Sequence, residues 1–200
     1  IAGNATYNFK EKYFAEAALS YGGFNRFKPD HRFGLFYAGG LGWHLAKADF
    51  LNNVSWINTL KPRISYGRTG NANVGYYVYD QYYTYGGTAA AYYFGVSPAI
   101  ARSYVENQLA NPNATWEKAD KWNAGIDAAF FNNNLKLTAE YFNDSYFDVM
   151  AIRGNSTTII GQTYPPENIE KDRYTGFEGK ITWNGKLNSF GYFVSGNMSL

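Results

Sequence analysis

Three observations predict an all-β fold, an antiparallel transmembrane β-barrel of which these 200 residues supply about eight strands. Apolar and polar residues alternate strictly in eight separate runs, the period-2 signature of strands with two unlike faces. The connections between the runs are short and long by turns, as in barrels with short inner turns and long outer loops. Aromatic residues make up 20% of the chain (5 Trp, 19 Tyr and 15 Phe) beside 21 Gly, yet the average residue is slightly polar. Soluble cores rest on Leu, Ile and Val; a wall between lipid and water needs this other mixture.

Taken in order, the first run sets Ile1, Gly3, Ala5, Tyr7 and Phe9 against Asn4, Thr6 and Asn8. The second sets Tyr13, Ala15, Ala17, Leu19 and Tyr21 against Glu16 and Ser20. In the third, Phe33, Leu35, Tyr37, Gly39, Leu41, Trp43 and Leu45 oppose the small Gly34, Ala38, Gly40 and Gly42. The fourth places Leu60, Pro62, Ile64 and Tyr66 opposite Lys61, Arg63 and Ser65. In the fifth, Trp122, Ala124, Ile126, Ala128 and Phe130 oppose Asn123 and Asp127. Its hairpin partner sets Leu135, Leu137, Ala139 and Tyr141 against Lys136, Thr138 and Glu140. The seventh sets Thr175, Phe177, Gly179, Ile181 and Trp183 against Glu178, Lys180 and Thr182. The eighth sets Phe190, Tyr192, Val194, Gly196 and Met198 against Ser195, Asn197 and Ser199.

Tight turns are expected at 10–12, 132–134 and 184–189, and long loops at 22–32, 70–115 and 148–172. The connection 46–59 is longer than a turn, and Ala48–Leu60 is expected to form a small amphipathic helix. This order orients the strands and places rings at two depths, where amphipathic rings favour the headgroup level. The inner belt comprises Phe9, Tyr13, Trp43, Phe130, Trp183 and Tyr192. The outer belt comprises Tyr21, Phe33, Tyr66, Trp122 and Tyr141. A soluble sandwich or soluble barrel also alternates, but it has no reason to carry rings at both rims of one face.

No run of about 18 apolar residues is present, so no transmembrane helix is available. Cysteine is absent, which removes disulfide frameworks and thiolate metal sites. Eighteen basic and 16 acidic residues are well mixed, for a net charge of +2. That balance gives no reason to expect nucleic acid as a partner. Ile1 opens without a targeting segment and Leu200 stops inside an alternating run, so 1–200 is expected to be part of one larger barrel domain.

Several segments resemble the later barrel strands of SusC-like TonB-dependent transporters. Arg32-Phe33-Gly34-Leu35-Phe36 and Gly40-Leu41-Gly42-Trp43 are similar to one strand of that family. Ser55-Trp56-Ile57-Asn58-Thr59-Leu60-Lys61 and Ser65-Tyr66-Gly67-Arg68-Thr69-Gly70-Asn71 follow in the family's order. So do Asn111-Pro112-Asn113-Ala114-Thr115-Trp116-Glu117, Asn123-Ala124-Gly125-Ile126-Asp127 and Phe131-Asn132-Asn133. Arg68 stands where Gln is frequent, and His44 where Arg often follows the Trp. The resemblance implies a plugged barrel of about 22 strands in the outer membrane of a Gram-negative, Bacteroidetes-like cell. It also implies a SusD-like lipoprotein lid, energy from a TonB complex through a region outside this chain, and import of oligosaccharide or peptide cargo.

Nothing in the sequence looks catalytic, and no cofactor or metal is expected. His31 and His44 lack an acidic partner at ligand spacing, and the carboxylates Glu117, Asp120, Asp144 and Asp148 read as solvated loop entrances. The best binding candidate is the tyrosine-rich outer loop, with Tyr76, Tyr77, Tyr79, Tyr82, Tyr83, Tyr85, Tyr92 and Tyr93. Tyrosine offers a flat ring and a hydroxyl at low entropy cost. It suits cargo contact, a lid protein or packing within the loop. The functions in view are active import, a barrel scaffold for other envelope proteins, and a soluble carbohydrate-binding β protein.

Overall fold

The computed structural model describes residues 1–51, 54–86, 91–94, 99–154 and 161–200; for 91–94 and 99–101 it gives the backbone alone. Eight long strands form one antiparallel sheet. They are β1 (Ala2–Phe9), β2 (Tyr13–Gly23), β3 (Phe33–Trp43), β4 (Ile57–Asn71), β9 (Glu117–Phe130), β10 (Leu135–Ala151), β11 (Glu167–Leu187) and β12 (Phe190–Ser199). They pair in chain order, β1-β2-β3-β4-β9-β10-β11-β12. The fold class and all eight runs are as the alternation predicts. Between β4 and β9, the strands β5 (Tyr83–Tyr85) and β8 (Tyr104–Glu106) form one small ribbon, and β6 (Ala91–Phe94) and β7 (Ala99–Arg102) another.

The turns fold locally because their residues tolerate left-handed backbone. Asn132 and Asn133 lie at φ +57° and +66°, and Asn188 at +53°. Phe131 adopts φ +53°, a strained choice for a bulky residue. It is compensated by a ring stack on Trp56, 6.0 Å between centroids. The last hairpin is tighter than expected: Leu187 pairs with Phe190, so Asn188 and Ser189 alone make the turn where six residues were predicted. At the opposite end the long strands run on past their alternating stretches, β10 to Ala151 and β11 from Glu167, which shortens the loop expected at 148–172.

Among the described residues of Ala48–Leu60, the expected helix does not form. Two 3-10 turns, Leu45–Lys47 and Asp49–Leu51, take its place, and β4 already starts at Ile57. The reason is tertiary. Lys12 Nζ reaches Asp49 at 2.8 Å, Lys47 pairs with Glu11, and His44 N–H donates to Lys12 O at 2.7 Å. Together these clasp the segment against the β1–β2 turn. Hydrogen bonds from Lys47 and Lys12 hold the Glu11 and Asp49 carboxyls below their usual range. A depressed carboxylate contributes above its unfolded pKa of about 4 and stops contributing as pH falls through its folded value. Amide protection at 45–51, taken relative to the intrinsic exchange rate at each pH, is therefore expected to hold from pH 5 to 8 and to fall below about pH 4. Unchanged protection at pH 3 would show that backbone contacts alone hold the clasp.

Pro62 lies inside β4 yet breaks no ladder, because β3 pairs with β4 over Tyr37–Gly42 only and ends its pairing at Arg63. The outer half of β3 splays from β4, and an aromatic cluster fills the gap. Phe27, Val74 and Ala114 are buried there with Phe24, Trp116 and Met150 packed around them. Trp116 lies 5.2 Å from Phe36 and donates its Nε1–H to Arg32 O at 3.1 Å. A side chain at Gly70 would run into the Phe36 ring, which Trp116 packs against. Among the described residues this cluster is the only apolar core; neither face of the large sheet is covered by one.

Candidate functional site

Register sorts the sheet into two faces of opposite chemistry. One carries the rings and branched apolar chains. Leu41 is 63% exposed, Ile64 54% and Ile181 51%, with Leu35 and Val194 also exposed. Ile126 is half-buried and Ala128 buried among their strand neighbours, and among the described residues no apolar core covers this face. At the short-turn end Phe9, Tyr13 and Trp43 stack in succession at 6.5 and 6.0 Å. Phe130 and Trp183 both flank Leu135 across the β9-β10-β11 ladder. Tyr192 lies over Gly185, where a Cβ would meet its ring. Trp56 extends this row, stacked on Phe130 at 5.6 Å. At the long-loop end Tyr21 stacks on Phe33 at 5.4 Å, and Trp122 meets Tyr141 at 5.3 Å. Tyr66, opposite Trp122 in register, also meets Tyr37 at 6.2 Å. Trp56, Phe131 and Tyr37 join the two rows without having been assigned to them. Trp56 was hidden by the helix expectation, and Phe131 by its place in a turn.

Just past the outer ring row the same face turns polar. Arg68 grips Asp120 through two hydrogen bonds of 2.6 Å, and Arg173 Nε–H donates to Asn143 Oδ1 at 2.9 Å. The carboxylates read as solvated loop entrances are instead tied into the sheet. Asp120 holds Arg68, Asp144 accepts from Lys121 at 2.6 Å, and Asp148 accepts from Lys118 at 2.9 Å. Glu117 accepts from Asn71 at 2.8 Å and from Met150 N–H at 3.0 Å. Sequence distance concealed these pairs, which join residues 23 to 52 positions apart across neighbouring strands.

The opposite face carries a polar network. Arg63 donates to Asp127 at 3.2 Å, to Asn123 at 3.3 Å and to Glu140. Thr138 donates to Asp127 at 3.1 Å. Glu140 stands directly across from Glu178 in the β10–β11 register, a like-charge pair that Arg63 offsets. A groove of about 550 Å³ on this face is floored by Ala18, Ala38 and Gly67 and bordered by Glu16, Lys121, Asn123 and Phe142. His44 lies at the short-turn end, where partial burial lowers its pKa and Lys47 beside it adds to the effect. His31 sits in a 3-10 turn, Pro29–His31.

The tyrosines of the long loop divide into two groups. Tyr76 and Tyr77 are exposed beside the apolar cluster. Arg26 pins that stretch, lying 4.0 Å over the Tyr76 ring and donating to Val74 O at 2.6 Å. Tyr79 is half-buried. Tyr82 is exposed, and Tyr83 and Tyr85 share one face of the β5–β8 ribbon with Tyr104 and Glu106. Tyr85 and Tyr104 are 5.0 Å apart. Tyr104 was missed because it lies 19 residues beyond Tyr85 in the chain; strand pairing alone brings the two together. Tyr92 and Tyr93 lie in β6, with side chains outside the described residues.

The model of the TonB dependent receptor-like β-barrel family matches residues 1–199. The chain belongs to that family. TonB-dependent receptor SusC of Bacteroides thetaiotaomicron is 32% identical over 134 residues, which is 66% of this chain and 13% of SusC. TonB-dependent receptor P3 of Formosa agariphila is 27% identical over 197 residues, 98% of this chain and 18% of that protein. Among solved structures, the RagAB peptide transporter superposes with a TM-score of 0.79 at 20% identity, covering 99% of this chain and 21% of the other. The chain spans under a quarter of the length of the relatives it matches. The likeness to SusC bears out the SusC-like resemblance, and these relatives are named as receptors and a transporter. The stretch Ser65–Asn71 that carries part of the resemblance forms the outer half of β4.

Proposed function

We propose that the chain is lateral wall of an outer-membrane, TonB-dependent importer of oligomeric nutrients, either glycans or peptides. In this reading a SusD-like lipoprotein lids the barrel and a TonB complex drives it through regions beyond this chain, 1–200 being part of one barrel domain. The ring-rich face meets lipid, with the two ring rows as its interfacial belts, and the polar face lines the lumen. One observation carries the reading: the uncovered apolar face is bounded by rings at both ends over the height of a bilayer. From Phe33 to Trp43 are ten strand rises, about 33 Å along β3. Tilted by roughly 40° this stands about 25 Å tall, the height of a barrel's apolar band. The Arg68–Asp120 pair supports the outer limit, since such ions in hydrocarbon are costly.

A soluble β protein has no use for so much uncovered apolar surface, and extraction decides the point. The full-length protein is expected to stay with membranes in buffer and to leave only in detergent; release by buffer alone would end the membrane reading. Cargo or lid contact is assigned to the exposed tyrosines. Tyr82→Ala with Tyr83→Ala, and separately Tyr85→Ala with Tyr104→Ala, are expected to weaken uptake or lid association several-fold with the barrel intact. If both double variants leave uptake and lid association untouched, the tyrosine ribbon has no such role.

A further inference from the structure

We infer that Lys171 and Arg173 bind the phosphate groups of outer-leaflet glycolipid, a site on the outside of the wall; this rests on the membrane reading above. The extra residue near Asp148 belongs to β10, and β11's own irregularity falls earlier, at Ile169; from Glu170 onward β11 pairs without an extra residue of its own. Its alternation therefore carries Lys171 and Arg173 on the face of Phe177 and Ile181. Arg173 stands opposite Ser145, one row beyond Thr175 and two beyond Phe177. That position is just above the outer ring row, where a membrane's phosphates lie.

Charge on this part of the face does not cancel. Arg68 is matched by Asp120 and Lys118 by Asp148. Among the described residues no carboxylate lies within 4.0 Å of Lys171 or Arg173. The acidic neighbours on β11, Glu170 and Asp172, belong to the opposite face by the same alternation. Arg173 is oriented by its Nε–H bond to Asn143, which leaves the two terminal nitrogens of its planar fork for a bidentate anion. The hydroxyls of Ser145 and Thr175 border it on the same face and add donors. Clusters of cations beside an apolar belt are attracted to anionic headgroups, and the attraction is screened by salt.

The test uses the full-length protein in detergent, with bis-phosphorylated lipid A and its dephosphorylated form as probes, read by native mass spectrometry. The native protein is expected to prefer the phosphorylated probe, and K171Q/R173Q to bind it about tenfold or more weakly. K180Q, a cation removed from the polar face of the same strand, is expected to change nothing. Heat-modifiable mobility on gels confirms that each variant is folded. Equal binding of both probes by the native protein, or a preference that survives in K171Q/R173Q, overturns the proposal. If such a protein still requires detergent for extraction, the wall reading stands and this site alone falls; release into plain buffer removes the wall reading itself.

Discussion

Ile126→Arg is expected to lower the stability of the folded barrel by about 2–4 kcal/mol, the cost of an arginine near the bilayer midplane. Ile126 lies midway between Trp122 and Phe130 on β9, the residues assigned to the outer and inner belts. Its register neighbours are Pro62 and Ala139, so no side chain beside it can accept a hydrogen bond from a guanidinium. The charge would have to reach for an interface several rises away. Ser65→Arg places the same charge on the polar face, beside Gly40 and Asn123 in register, and is expected to cost less than about 1 kcal/mol. Urea titration of the full-length protein folded in lipid vesicles measures both. Equal losses would show that the two faces see the same medium, and the wall reading would fall with that result.

The second large effect concerns the polar face. Arg63→Ala leaves Asp127 and Glu140 without their shared cation and exposes Glu140 to Glu178 directly across the ladder. These groups keep a quarter to two-fifths of their side-chain surface open, so water and salt blunt the loss to about 1–3 kcal/mol. Adding Glu140→Gln to Arg63→Ala removes the uncompensated charge while keeping an acceptor for Asn123, and is expected to recover about half of the loss. Arg63→Lys keeps the charge but not the three-way fork and is expected to fall between. Strict additivity of Arg63→Ala and Glu140→Gln in this cycle would show that the two residues are not coupled.

Much of the strand plan was legible because alternation is a local code. A residue's parity relative to its neighbours states which face it occupies, and all eight runs follow it. The turns were legible where asparagine takes left-handed backbone, as at 132–133 and 188. The clasp at 45–51 was not, because Lys12–Asp49 and Lys47–Glu11 form only once β1, β2 and β3 are side by side. Nor was the outer half of the sheet. Past Trp122 and Tyr141 the strands continue through Arg68, Asp120, Lys121 and Asp144, whose polarity reads as loop until cross-strand pairing supplies their partners.

The sequence by itself determined that this chain is a wall with two chemically unlike faces and rings near both ends of one of them. Side-chain parity and ring placement are written along each strand and need no distant contact. Tertiary structure alone decided which charges meet, why 45–51 folds as two 3-10 turns, and that Tyr104 joins Tyr85. Each of those outcomes depends on register between segments tens of residues apart, and register is set by the whole ladder of backbone hydrogen bonds rather than by any one strand.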